Sequence, residues 1–306
     1  MLNSDEALAI EQNLFPLVRG LVSGQPDFPW HRDRSGTVTA SRIVSSQALA
    51  VDLFGTIARL TSRDSVVNEW TDDLNLSMNG TWKISLEESV PKALLKEPTP
   101  TQIDAVANGT NGVILFECKF TESDGGPCSQ PLALRKGPHK GMRQCNGNYE
   151  YQTNPVNQVK SRCALSGKKI RYWDLVAEVI NIDPMVDHRP CPFAGGWFQW
   201  MRNLVAARAL GQRRNRPSSF VVVYAEGQYP MAEKVKNTEW KQLMETVTGR
   251  AVPLRAVSYQ RLLDLAIKAA TANDQLVLQN LKQWITRKIE TAEIQNVAQR
   301  RGKVRA

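Results

Sequence analysis

With 306 residues the chain can form one elaborated domain or two around a substantial core. A hydrophobic fraction of 42% beside 23% charged residues excludes a chain dominated by disorder or by a fibrous repeat. Lys plus Arg number 39 against 30 Asp plus Glu, a net charge of +9 that favours an acidic partner such as nucleic acid, although a basic balance also serves solubility alone.

The opening MLNSDEALAIEQNLFPLVRG carries Asp and Glu where a secretory signal needs a basic end and an unbroken apolar run. No stretch approaches the roughly 18 apolar residues of a membrane span. A cytoplasmic chain with no membrane partner is therefore expected, its five cysteines reduced. Residues 1–40 form an N-terminal extension, a short amphipathic helix followed by the irregular SGQPDFPWHRDRSG. His31 lies in that loop, where a lone His is more often simply solvated than a ligand.

SRIVSSQALAVDLFGTIARLTS predicts a helix over 45–60, capped by Ser45 or Ser46, with Ala48, Val51, Leu53, Phe54, Ile57 and Leu60 at helical spacing. Gln47 falls in its first turn, a position usually exposed. Trp82 to Leu86 reads as a strand, ESVPKALLKEPTPT as a linker, and residues 101–120 as two strands around NGTNG. A long irregular insertion, about 121–195, follows, with one helix expected around Tyr172 to Ile182; insertions of this length are usually functional. GGWFQWMRNLVAARALGQRRNRP predicts a helix over 196–210 with a basic end that suits its dipole, and SSFVVVYAEG a buried strand over 219–225. Residues 231–306 are expected to be mainly helical, interrupted at TGRAVPLRAVS and fraying into the basic tail QRRGKVRA, which either touches phosphates or is merely solvated. The intervening residues 41–230 make up the central domain.

The chemistry concentrates in TPTQIDAVANGTNGVILFECKFTE. Val113 to Phe116 is apolar on both faces, as in a central strand, and runs directly into Glu117 and Lys119, which share one face while Phe116, Cys118 and Phe120 share the other. A turn centred on Thr110-Asn111 sets Asp104 directly across from Glu117, where opposed Cβ atoms are only about 5 Å apart. This register is assumed, and a slip by one residue would turn Asp104 to the other face. Two carboxylates that close repel unless one takes a proton or a cation lies between them. Oxygen ligands from Asp104, Glu117 and the backbone carbonyl of Cys118 suit Mg²⁺ or Mn²⁺, an ion that can activate water and orient a phosphodiester. Lys119 then stabilises either the attacking hydroxide or the phosphate.

The pattern D-x12-E-x-K behind an apolar strand resembles the PD-(D/E)XK nuclease superfamily, with Ile103-Asp104 in place of Pro-Asp. SSQALAVDLFG, FECKFTE and FQWMRNL together are similar to a bacterial branch of it related to restriction endonucleases. The resemblance implies an α/β, restriction-endonuclease-like core: helix, three-strand meander, helix, strand, in a mixed central sheet flanked by helices. Here that core carries a large cysteine-containing insertion and a helical C-terminal region. It implies that Asp104 and Glu117 bind metal, that Lys119 assists catalysis, and that Gln47 and Gln199 stand beside the metal in supporting roles. The expected activity is metal-dependent hydrolysis of phosphodiester bonds, in DNA rather than RNA, by metal-activated water. The alternative is a non-catalytic nucleic-acid-binding module on the same fold.

Cys128, Cys145, Cys163 and Cys191 are spread through the insertion without the close C-x2-C pair of a recognisable zinc site. They match either a four-thiolate iron–sulfur or Zn²⁺ staple, or four unrelated reduced cysteines. Cys118 is expected in the core. With only His31, His139 and His188, a histidine-based nuclease site is poorly supported. Trp30, Trp197, Trp200 and Trp240 could stack on bases, but the spacing of Trp197 and Trp200 favours packing inside.

Overall fold

Strand alternation sorts the side chains of residues 105–109 and 113–119 onto the two sides of one sheet. β1 (Trp82–Ser89), β2 (Gln102–Gly109) and β3 (Val113–Lys119) form an antiparallel meander. β4 (Ser218–Tyr224) and β5 (Leu254–Ser258) continue it in parallel, giving the spatial order β1-β2-β3-β4-β5. This computed structural model describes residues 2–25, 27–145, 163–181, 191 and 193–304. His188, much of the expected insertion and the last two residues of the basic tail lie outside the described residues.

β3 is buried along its whole length, as a central strand covered on both faces must be. Ala105, Ala107, Ile114, Phe116, Cys118, Val221 and Val223 point into one core; Ile103, Val106, Val113, Leu115, Phe220 and Val222 point into the other. The first core is covered by α2 (Ser46–Ile57), which follows the N-terminal α1 (Ser4–Asn13). The α2 N-terminus is capped by Ser45, whose hydroxyl accepts from Ala48 N–H at 3.2 Å. A further helix, α3 (Arg63–Asp73), adds Val66, Val67 and Trp70 to this face, and the Trp70 indole donates to the Leu262 carbonyl at 2.9 Å. The second core is covered by α4 (Phe198–Arg214), whose Trp200, Met201, Leu204 and Val205 are buried.

Beyond β4 come α5 (Thr238–Val247), then β5, then α6 (Tyr259–Ala269) and α7 (Ala272–Val304). The interruption at TGRAVPLRAVS is thus a strand that widens the sheet: Val252 and Leu254 fill the second core while Val257 fills the first. The α7 backbone remains helical to Val304, past the point where fraying is expected. Its Lys288 reaches a buried Asp52 on α2 (Nζ to Oδ2, 2.7 Å) and also donates to Asn13 O at 2.7 Å. Asp52 further accepts from Phe15 N–H at 2.7 Å and from the Trp284 indole at 3.0 Å. Among the described residues no helix is long and apolar enough to cross a membrane.

Candidate active site

The hairpin between β2 and β3 fixes the position of the two acids. Its pairs are Asn108 with Val113, Ala107 with Ile114, Val106 with Leu115 and Ala105 with Phe116; the ladder ends there, and the same register carried one position further would bring Asp104 opposite Glu117. Glu117 shares the parity of Leu115, a residue of the core beneath α4, whereas strict alternation breaks next to Asp104, since Ile103 joins the same core as Val106. Asp104 Oδ2 accepts from the Cys118 backbone N–H at 2.6 Å.

Glu117 and Lys119 are almost fully buried, at 2% and 6% exposure, so their charges must be satisfied within the protein. Lys119 Nζ donates to Glu117 Oε1 at 2.9 Å and to Gln199 Oε1 at 2.8 Å, while Asn203 Nδ2 donates to Glu117 Oε2 at 2.8 Å. Gln199 and Asn203 stand one turn apart on α4, hence on the same face of that helix. The helix thus delivers an acceptor to the amine and a donor to the carboxylate.

β1 supplies a third acid. Leu86 pairs with Ala105 and Glu88 with Ile103, which puts Glu87 across from Asp104, yet Glu87 drops out of the ladder because its φ is +49°. Such a conformation is strained for a non-glycine residue and tends to occur at functional sites. Glu87 is buried; its Oε1 accepts from Gln47 Nε2 at 2.7 Å and its Oε2 makes no hydrogen bond, with His31 Nε2 at 3.5 Å. Gln47 is itself buried, accepting from His31 N–H at 2.9 Å and donating to Pro29 O at 3.1 Å. It is therefore a bracket between the N-terminal loop, α2 and β1, not the exposed first-turn residue usual at that position.

The electrostatics follow from this crowding. Burial and the neighbouring charges of Glu117 and Glu87 hold the Asp104 carboxyl well above the usual carboxylate range. Burial by itself would lower the Lys119 pKa, but the carboxylates of Glu117, Glu122 and Asp104 outweigh it and keep the amine protonated above its ordinary range. His31 is raised by its interaction with Glu87, against burial, and further by the charges of Glu87, Asp104 and Glu117. Glu87, Asn203 and His31 were not among the site residues expected from sequence. Asn203 had a legible signal, a polar residue four positions after Gln199 on an apolar helix face; Glu87 and His31 depend on a single left-handed residue in β1 and a loop path that no local pattern encodes.

A hard divalent ion suits this donor set: carboxylates from Asp104, Glu117 and Glu87, the Cys118 carbonyl, and one buried carboxylate oxygen, Glu87 Oε2, without a hydrogen bond. Among the described residues, however, no three His, Cys, Asp or Glu side chains are grouped tightly enough to hold an ion as they stand. Cys118 lies in the core as expected. Trp30, Trp200 and Trp240 are buried, and Trp197 packs edge-on against Trp200 at 5.0 Å with Lys234 over its ring at 4.5 Å. No curated protein and no solved structure matches the chain. The family model for restriction endonuclease associating with ARP matches residues 5–288. A mixed, helix-flanked sheet that sets Asp104, Glu117 and Lys119 at the end of its central hairpin accords with that match, and the chain belongs to this restriction-endonuclease family.

Proposed function

We propose that this chain is a divalent-metal-dependent nuclease that hydrolyses phosphodiester bonds of DNA. The observation that carries the reading is the hydrogen-bonded set Glu117, Lys119, Gln199 and Asn203 facing Asp104 across the hairpin, in a chain of restriction-endonuclease family. Asp104, Glu117, the Cys118 carbonyl and Glu87 would hold Mg²⁺ or Mn²⁺. When bound, such an ion supplies an activated water and neutralises charge on the phosphate. Lys119 stays protonated and stabilises the negative charge that grows on the phosphate oxygens, with Gln199 fixing the direction of its amine. Asn203 holds one Glu117 oxygen, and Gln47 holds Glu87.

Phosphate contacts away from the scissile bond fit the hairpin of residues 133–144, which follows β3 in sequence and exposes Arg135, Lys136, Lys140 and Arg143. The family description couples its members with ARP, and we extend that association to this chain as an expected partner.

The test is incubation of the purified protein with linear, circular and single-stranded DNA, with and without Mg²⁺ or Mn²⁺. Cleavage is expected only with the ion and should fall about 100-fold or more in Asp104→Ala, Glu117→Ala and Lys119→Ala. Full ion-dependent cutting by any of these variants removes that residue from the mechanism. Salt-sensitive binding that persists in EDTA, with no cutting under any condition, would instead favour a non-catalytic binding module.

A further inference from the structure

Away from the acids, four cysteines lie on segments that are hydrogen-bonded to one another or packed on one core. Cys128 and Cys145 flank the small hairpin closed by the Leu134–Arg143 bridge, in which Arg135 N–H donates to Met142 O and Gln144 N–H to Ala133 O, each at 2.8 Å. Cys163 precedes the short helix Ala164–Gly167, and Lys168 beyond it donates to Gln130 Oε1 at 2.7 Å, two residues from Cys128. The Cys191 segment is held nearby: Gly125 N–H donates to Gly196 O at 2.8 Å, Phe198 N–H to Gly126 O at 3.0 Å, and Phe193 stacks on Tyr172 with centroids 5.4 Å apart. Cys163 is buried in the second core, and Cys128 and Cys191 pack against it.

Two details go beyond proximity. Against the effect of burial, the backbone amides of Gln130 and Phe193, each two residues past the sulfur, lower the pKa of the Cys128 and Cys191 thiols. A backbone donor so placed stabilises thiolate over thiol. In addition, burial pushes the Cys191 thiol up to about 12 and raises that of Cys128, and the sulfurs of Cys163 and Cys145 add to the rise in both. Thiols that raise one another's pKa ionise together only when a cation offsets their charge.

We propose that Cys128, Cys145, Cys163 and Cys191 form a four-thiolate metal centre, occupied by Zn²⁺, that ties together the segment between β3 and α4. All-sulfur donors suit Zn²⁺ or an iron–sulfur cluster and not the hard ion expected at the carboxylates. Four protein ligands close the coordination sphere, so the centre is structural. Because no three of the described ligand-type side chains are grouped tightly enough to hold an ion as they stand, metal binding draws the sulfurs in and releases their protons to solvent. The proposal does not rest on the nuclease reading.

The experiment is elemental analysis of the purified full-length chain after dialysis against EDTA, with about one zinc per chain expected. Cys128→Ser and Cys191→Ser should each lose it, whereas Asp104→Ala combined with Glu117→Ala should keep it. Since a cysteine variant could fail to fold, the unmutated chain is also treated with an organomercurial, which should release the zinc and speed alkylation of the four cysteines, mapped by mass spectrometry. Iron with acid-labile sulfide and a visible absorption band would support the four-thiolate centre and replace zinc with a cluster. Absence of both metals, with no zinc uptake on refolding, would overturn the proposal. So would zinc retained in folded cysteine variants, or alkylation rates indifferent to metal release.

Discussion

Asp104 sits half-buried opposite one carboxylate and beside another, a place that suits a bound cation and burdens the metal-free protein. Its folded pKa lies above the usual 3.8, so its contribution to stability is fully present below that value and is lost as pH rises through the folded pKa. At neutral pH, above the unfolded value, that contribution is diminished and the residue weakens the fold relative to acid. Asp104→Asn is expected to raise the melting temperature of the ion-free protein at neutral pH while abolishing the extra stability conferred by Mg²⁺; an unchanged or lowered midpoint would count against this account. The register assumed from the turn residues is the one the β2–β3 ladder shows, up to its last pair, Ala105 with Phe116. Glu87 was not legible, since its approach to Asp104 arises from a single left-handed backbone conformation in β1.

At the scale of elements, the strained Glu87 and the polar turn of α4 are the two devices that complete the proposed site. Holding Glu87 at positive φ costs on the order of 1–3 kcal/mol, which its burial against Gln47 and β2 must offset. Glu87→Gln keeps size and hydrogen-bonding capacity, so the fold should survive while affinity for Mn²⁺ drops about 10–100-fold by titration calorimetry. Unaltered affinity would reduce Glu87 to a structural role. Asn203→Ala should weaken cutting by removing the donor to Glu117 Oε2, with little change in DNA binding measured in EDTA. The meander, α2, α4 and β4 were readable because each is a sustained periodic or apolar run. β5 escaped because five residues are too few for periodicity, and α3 because its apolar positions are interspersed with Asp, Asn and Glu.

At the scale of the molecule, the first core draws on both ends of the chain, whereas the second is built from residues between Val90 and Leu254. Leu278, Leu281, Ile285 and Ile289 of α7 join the same core as Ile10, Phe54 and Phe116, and the Lys288–Asp52 pair lies between them and the N-terminal segment. Burial raises the Asp52 pKa while the Lys288 charge opposes that rise, so removing the lysine leaves an acid with no counter-ion. Lys288→Met should cost about 3–5 kcal/mol in urea unfolding, and the double change with Asp52→Leu should recover most of it. Equal losses in the single and double variants would show that the pair itself holds the fold.

The short reversal from Gly109 to Gly112, closed by the Gly109 N–H to Gly112 O bond at 2.8 Å, sets more than the direction of the chain. Lengthening it by one amino acid would preserve every neighbouring sequence yet deliver the wrong flank of β2 to its partner, exchanging an acid for a methyl group in the cleft. The proposed cleft is thus specified partly by a spacing, and a change of loop length would undo it without altering any of its chemical groups.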